Sequence, residues 1–124
     1  MIIDEKSLQL IVQLNRFTSM GEIQWTVQEP PIWLRAGTDA VIPLYLEARY
    51  KTARYALYQI RQRSYDGERD MLYWTEDVVL AVLDDMGRSL WETVGGSALW
   101  DLLNTARMRL VSLDSLLNDL SPPG

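Results

Sequence analysis

Apolar residues recur along the last quarter of the chain with a regular helical spacing. Between Ser97 and Leu120 they lie alternately four and three residues apart. This spacing places them in one narrow seam along a helix, the pattern by which a helix docks against another helix. We therefore predict a long C-terminal amphipathic helix. Its seam consists of Leu99, Leu103, Ala106, Leu110, Leu113, Leu117 and Leu120.

A second helical pattern lies near the start of the chain. Asp4 suits the N-terminal cap of a helix, Leu8 and Ile11 share one apolar face, and Gly21 is a typical stop. Residues 23–27 alternate β-branched and aromatic side chains with polar ones, which predicts a short strand. Pro30 and Pro31 end that strand, and residues 32–39 are predicted to form a connecting loop.

The middle of the chain fits two secondary structures. Residues 46, 50, 53, 57 and 60 match a helical seam, whereas the apolar alternation from Leu44 to Tyr50 matches a strand. We favour two strands, residues 41–50 and 54–63, forming a hairpin that turns near Lys51 and Thr52. Because this turn lacks Gly and Asn, its chemistry does not define the register.

A second hairpin is predicted further along the chain. Residues 78–83 are an apolar run suited to a central strand, residues 84–88 contain turn-forming residues, and residues 89–94 alternate again. A rival helix over residues 76–94 would carry Gly87 in its interior, at a cost of about 1 kcal/mol relative to alanine.

These elements predict an α+β fold. An N-terminal helix precedes an antiparallel meander sheet of about five strands, and the long C-terminal amphipathic helix follows it. Residues 1–120 are expected to form a single domain, with a disordered tail at residues 121–124. The alternative is an all-α, four-helix arrangement, which follows if the middle of the chain is helical.

The composition restricts the chemistry open to the chain. Its 124 residues include no cysteine and no histidine, so thiol catalysis, disulfides and serine–histidine–acid catalysis are excluded. The usual sulfur and nitrogen ligands of transition metals are absent as well. We expect a protein that is not an enzyme and has no cofactor or metal site. Without a membrane-spanning run or signal-peptide pattern, the expected location is the cytoplasm.

Charge is unevenly distributed along the chain, whose net charge is −5. Residues 41–63 sum to +4, and residues 64–94, which follow directly, sum to −6. We interpret this contrast as charge pairing across neighbouring strands. The low isoelectric point disfavours nucleic acid as a partner.

Two further patterns have both a structural and a functional interpretation. Asp84 and Asp85, with the upstream acids Glu76 and Asp77, could supply oxygen ligands to Mg²⁺ or Ca²⁺. Adjacent acids on a strand point to opposite faces, however, and an acidic stretch before Gly87 is ordinary turn chemistry, which we favour. Tyrosines and arginines interleave between residues 45 and 61, which suits a base-stacking platform or, as we favour, a half-buried sheet.

The candidate partner-binding residues come from the seam and from the tryptophans. A helix of 24 residues is about 36 Å long, whereas five strands side by side span only about 24 Å. The sheet is therefore too narrow to cover the whole seam, and Leu113, Leu117 and Leu120 are expected to meet a partner. Three of the five tryptophans lie near predicted strand ends and loops, where an exposed indole would anchor a partner, whereas burial in the core is the interpretation that we favour for any single one of them. These are Trp25, Trp33 and Trp74.

Strand and turn signatures between residues 37 and 91 resemble those of small bacterial proteins of uncharacterised function. The resemblance rests on Gly-Thr-Asp, Pro-Leu-Tyr-Leu-Glu-Ala and Ala-Leu-Tyr between residues 37 and 65, on residues 79–84, and on Leu90-Trp91. It extends over residues 22–120 and implies a meander sheet flanked by two helices. It implies no catalytic residues.

The sequence as a whole favours a non-enzymatic protein-interaction module acting as a homodimer. Its expected partner is a second copy or another protein. One alternative is a carboxylate-based enzyme or binder of a small molecule or metal, using Asp77, Asp84 or Glu92. The other is an acidic phage or plasmid inhibitor of a nucleic-acid-binding complex. The acidity and small size of the chain fit that role, although core residues interrupt its carboxylates.

Overall fold

A computed structural model describes residues 4–122 of the chain. The fold is α+β, as predicted: a helix, a five-stranded antiparallel sheet, and a C-terminal helix in two parts. Of the predicted tail, only Ser121 and Pro122 are among the described residues. The elements are α1 (Glu5–Ser19), β1 (Thr26–Val27), β2 (Val41–Tyr50), β3 (Ala53–Asp66), β4 (Met71–Leu83), β5 (Ser89–Val94), α2 (Ser97–Leu110) and α3 (Leu113–Leu120).

The sheet is a meander in which each strand pairs with the next one along the chain. The hairpin predicted around Lys51 and Thr52 is confirmed, with Tyr50 opposite Ala53. Lys51 adopts a φ of 56°, so a residue other than glycine occupies the left-handed region at this turn. The all-α alternative is therefore wrong, because the alternation of apolar residues in β2 reflects two differently packed faces of a strand.

One face of the sheet is covered by α1 and α2. Alternate strand residues, Leu46 on β2, Leu57 on β3 and Leu80 on β4, are fully buried against the helices. The helices contribute Ile11 and Leu103 to the same core. We call this side the helix face.

On the other side of the sheet, the opposite face, no α-helix of residues 4–122 contributes to the second apolar cluster. Tyr45, Tyr58 and Val79 are buried there, together with the small side chains of Ala56 and Ala81. Leu34, from a short 3-10 turn at Ile32–Leu34, packs against this cluster. The segment predicted as a loop between β1 and β2 thus contributes to the cover of this face.

The long C-terminal helix is present but divided. The helix α2 ends at Leu110, Val111 is extended, and the Ser112 side chain caps α3 by accepting a hydrogen bond from the Ser115 amide at 3.2 Å. A β-branched residue followed by a good capping residue favours such a break. The first half of the apolar seam lies in the core, where Leu99, Leu103 and Ala106 are buried.

Candidate protein-interaction surfaces

The second half of the seam has no cover within the described part of the chain. Leu113 is 70% exposed, Leu117 is 64% exposed and Leu120 is 82% exposed. Leu116, on the same short helix, is also exposed, and α3 contains no buried residue. The seam therefore changes from core to surface at the break between α2 and α3.

An exposed apolar helix as short as α3 has little stability of its own. Helices below about 12 residues are marginal in water because nucleation is costly, and most helical stability in proteins comes from packing. With eight residues, α3 has a capping serine and Asp114 in its first turn as its local stabilisers. These contribute about 1 kcal/mol each, so the described residues give α3 little stability as a helix.

The start of α3 is anchored at one end of the sheet. Leu110 and Val111 line a cavity of about 450 Å³ together with Pro43, Leu44 and Arg61. This cavity lies where β2 begins, since Val41 pairs with Arg61. The helix α3 therefore leaves the domain at the same end of the sheet from which β3 and β4 extend furthest.

Beyond that point β3 and β4 continue as a two-stranded arm, which we define as residues 62–76. The strand β2 pairs with β3 no further than Arg61, and β5 pairs with β4 no further than Val79. The arm carries five large apolar side chains that are exposed, because no other strand of the sheet pairs with this part of β3 and β4. They are Tyr65, Met71, Leu72, Tyr73 and Trp74.

The two strands of the arm are held together by paired side chains. Arg63 lies over the Trp74 ring, 5.8 Å from its centroid, and also forms an ion pair with Asp39. At its base Arg61 forms an ion pair with Glu76 on the neighbouring strand. This last pair joins the basic and acidic segments of the sequence, as the charge pattern predicted.

The projection of the arm was not predicted from the sequence. The predicted strand 54–63 ends at the second residue of the arm, whereas β3 continues to Asp66. The sequence does contain one indication of the arm: residues 71–74 are four consecutive apolar residues, so that apolar side chains lie on both faces of the strand. Such a run makes both faces of the strand apolar, which fits either a buried strand or an exposed surface for a partner.

The three candidate tryptophans lie in different environments. Trp25 is 5% exposed and belongs to the core, so it offers no exposed indole to a partner. The strand predicted for residues 23–27 is confined to β1, and Trp25 directly precedes it with its side chain in the core on the helix face. Trp33 in the 3-10 turn and Trp74 on the arm are both more than half exposed. The structure does not bring these two together with α3 in one packed cluster.

The acidic residues considered for metal or catalysis do not form a cluster. Asp84 is held in the turn before β5, where its carboxylate accepts hydrogen bonds from the Arg88 and Met86 amides at 2.8 and 2.9 Å. These hydrogen bonds lower the pKa of Asp84, the Arg88 amide having the largest effect. Among residues 4–122 no three acidic side chains are placed to share a metal ion.

The other two acids of this alternative are also separated. Glu92 lies opposite Ala81, and Asp77 is four residues further along β4, about 13 Å at the rise of a strand. Both are on the opposite face of the sheet. The turn interpretation of Asp84 therefore accounts for its contacts, and Asp77 and Glu92 do not line a common cleft with it.

The interleaved tyrosines and arginines are distributed over both faces of the sheet. Tyr45 and Tyr58 stack on the opposite face with ring centroids 5.5 Å apart, whereas Tyr50 and Tyr55 pack on the helix face. Burial, and then the Glu92 carboxylate, raise the pKa of Tyr58 to about 12. Burial and Glu47 raise the pKa of Tyr45 well above its usual range. Buried, stacked phenols are part of the packing and leave no platform for bases.

The strongest polar feature of the opposite face is an ion pair between Glu47 and Arg54. Glu47 is buried, and its carboxylate accepts from Arg54 with Nη2 at 2.7 Å and Nε at 2.9 Å. The pair lines a shallow cleft of about 330 Å³ with Gln24, Thr26 and Gln28. Glu47 neutralises Arg54 there, and the pair stabilises the packing of β2 on β3; the exposed Arg49 also lines this cleft.

Comparisons with protein-family models, curated proteins and solved structures find no match to this chain. Among residues 4–122, no helix has the length and apolar character needed to cross a membrane.

Proposed function

We propose that the protein is a non-enzymatic protein-interaction module that acts as a homodimer, working in the cytoplasm. The observation that carries the proposal is the exposure of the α3 leucines, which continue the core-forming seam of α2. Aliphatic residues with regular helical spacing are the normal sign of a helix packed on one side. A second copy supplies the same kind of surface and can meet this one symmetrically.

The size of the exposed apolar surface supports a dimer. Six side chains near the end of the chain are between 48% and 82% exposed. At roughly 100 Å² of apolar surface per fully exposed aliphatic side chain, they offer on the order of 400 Å². A standard interface takes about 800 Å² from each partner, a little over half of it apolar. The six are Met108, Val111, Leu113, Leu116, Leu117 and Leu120.

Trp33 and Trp74 have a separate place in the proposal. Exposed indoles are frequent anchors in interfaces because they bury a large area at low entropic cost. We propose them as contacts for another protein, on surfaces distinct from α3. A variant with Trp33→Ala and Trp74→Ala should then keep the dimer.

Sedimentation equilibrium tests the proposal directly. The unmodified chain should sediment as a dimer at micromolar concentration. The double variant Leu113→Glu with Leu117→Glu should be monomeric and should be as stable to heat as the unmodified chain diluted to monomer. Leu90→Glu is the matched control, because Leu90 on β5 is 67% exposed but lies outside the seam. A monomeric unmodified chain at all accessible concentrations would refute the proposal.

A further inference from the structure

The end of the chain is electrically polarised as well as apolar. Arg107 and Arg109 lie in the last turn of α2, and Asp114 and Asp119 lie on α3. Within residues 4–122, none of these four side chains forms an ion pair. The segment from residue 107 to residue 120, which we call the terminal segment, thus begins with two positive charges and ends with two negative ones.

This order of charges distinguishes between the ways in which two copies can meet. If two α3 helices paired only with each other, four aspartates would come together with no basic residue among them. If the terminal segments crossed in an antiparallel sense, α3 of each copy would lie over the last turn of α2 of the other. The aspartates of each copy would then lie beside the arginines of the other, once on each side of the twofold axis.

From this polarity we infer that the homodimer forms by antiparallel exchange of the terminal segment, with α3 of each copy packed on the end of α2 of a second copy. The inference rests on the proposed function, which requires a dimer but not this arrangement of it. In the exchange, Asp114 and Asp119 lie near the partner's Arg107 and the partner's Arg109. The leucines of α3 cover apolar side chains of the second copy, including Met108, which points away from its own core.

The divided helix suits this arrangement. A continuous helix through residue 120 would carry the seam straight on in the direction of α2. Extended Val111 and the Ser112 cap turn the chain instead, so that α3 leaves at an angle. In a twofold pair, a bent element allows each copy to reach across the axis and contact the other, as in exchanged elements of dimers.

Charge reversal tests the inference and separates it from the proposed function. One variant carries Arg107→Glu and Arg109→Glu, and the other carries Asp114→Arg and Asp119→Arg. Each alone places like charges together and should raise the dimer dissociation constant about tenfold or more. Mixed in equal amounts, the two should form a heterodimer with an affinity close to that of the unmodified chain, because opposite charges meet again.

The control for non-specific charge effects is a variant with Glu29→Arg and Glu68→Arg, two exposed acids outside the terminal segment. It changes the net charge as much as the aspartate reversals do, and it should dimerise normally. If both reversed variants dimerise as tightly as the unmodified chain, the antiparallel exchange is wrong while the homodimer stands. An unmodified chain that is monomeric refutes the homodimer and the exchange with it. Folding of each variant is read from its far-ultraviolet circular dichroism. Two folded variants that fail to form the heterodimer would also contradict the antiparallel exchange.

Discussion

The indole nitrogen of Trp25 donates a hydrogen bond to the hydroxyl oxygen of Thr18, 3.0 Å away inside the core. The Thr18 hydroxyl in turn donates to the carbonyl oxygen of Leu14 at 2.7 Å. Thr18 is fully buried, so one hydroxyl satisfies a buried indole and joins the end of α1 to the segment that enters β1. A buried indole requires such a partner, which explains why a polar residue occupies this position of α1.

Replacing Thr18 with valine should therefore destabilise the protein although the two side chains have nearly the same shape. The substitution leaves the Trp25 N–H buried without an acceptor, which costs about 1–3 kcal/mol of the free energy of unfolding. Chemical denaturation measures the loss. In Trp25→Phe the donor is absent, so adding Thr18→Val to it should cost clearly less than Thr18→Val alone. Equal costs in both backgrounds would show that the hydrogen bond does not contribute.

The sequence predicted the elements of the fold well because local signals agreed with tertiary packing. The alternation in β2 and the acidic stretch at Asp84 each allowed two interpretations, and the structure shows the favoured strand and the favoured turn. Trp25 is a candidate partner contact in the sequence because it lies near a predicted strand end, and local pattern does not separate it from the exposed Trp33 and Trp74. Its burial depends on Thr18 and on the covering helices, which are distant contacts that no local pattern encodes.

The seam gave a more specific prediction than the tryptophans did. Comparing helix length with sheet width predicted that Leu113 to Leu120 would lie beyond the sheet, and these residues are exposed in the structure. The break at Val111 and Ser112 was missed, since a seven-residue repeat continues through it without interruption. The sequence pattern also does not predict the arm, because the pattern within one strand does not show where the neighbouring strands end.

Two leucines of the one seam should respond differently to truncation. Leu103 is fully buried between α1, α2 and the sheet, so Leu103→Ala should cost about 2–5 kcal/mol of the free energy of unfolding. Leu117→Ala should change the stability of the monomer by less than about 0.5 kcal/mol, because the side chain is largely exposed. Urea denaturation at concentrations below the dimer dissociation constant makes the comparison. A large loss for Leu117 under those conditions would mean that α3 packs on its own chain.

The stacked tyrosines predict a loss of stability at high pH. The pKa of Tyr58 is raised to about 12 in the folded protein, against about 10 in the unfolded chain. Above pH 10 the unfolded chain therefore loses its phenolic proton while the folded protein still holds it, so the free energy of unfolding falls as pH rises from 10 towards 12. Below pH 10 both states are protonated, and the full stabilisation is present. Tyr45 acts in the same direction.

Tyr45→Phe combined with Tyr58→Phe should reduce that decline, because neither ring can then lose a proton on unfolding. Denaturation curves between pH 8 and pH 11 give the slope for the unmodified chain and for the double variant. The ultraviolet absorbance of tyrosinate, followed over the same range, reports directly on ionisation in the folded state. An identical slope in the two proteins would contradict the assignment to this pair.

Amide hydrogen exchange should detect the partner of α3 without any substitution. Because a helix of eight residues with no buried side chain is marginal alone, its amides should exchange nearly as fast as those of an unfolded peptide when the protein is diluted to monomer. Packing against a second copy should slow them by a factor that rises with protein concentration, since the dimer population sets the protection. The amides of α2 are the internal reference and should stay protected at every concentration, because Leu99, Leu102 and Leu103 hold that helix in the core. Protection of α3 that does not change between dilute and concentrated samples would show that its stability comes from its own chain, and the dimer would lose its main support.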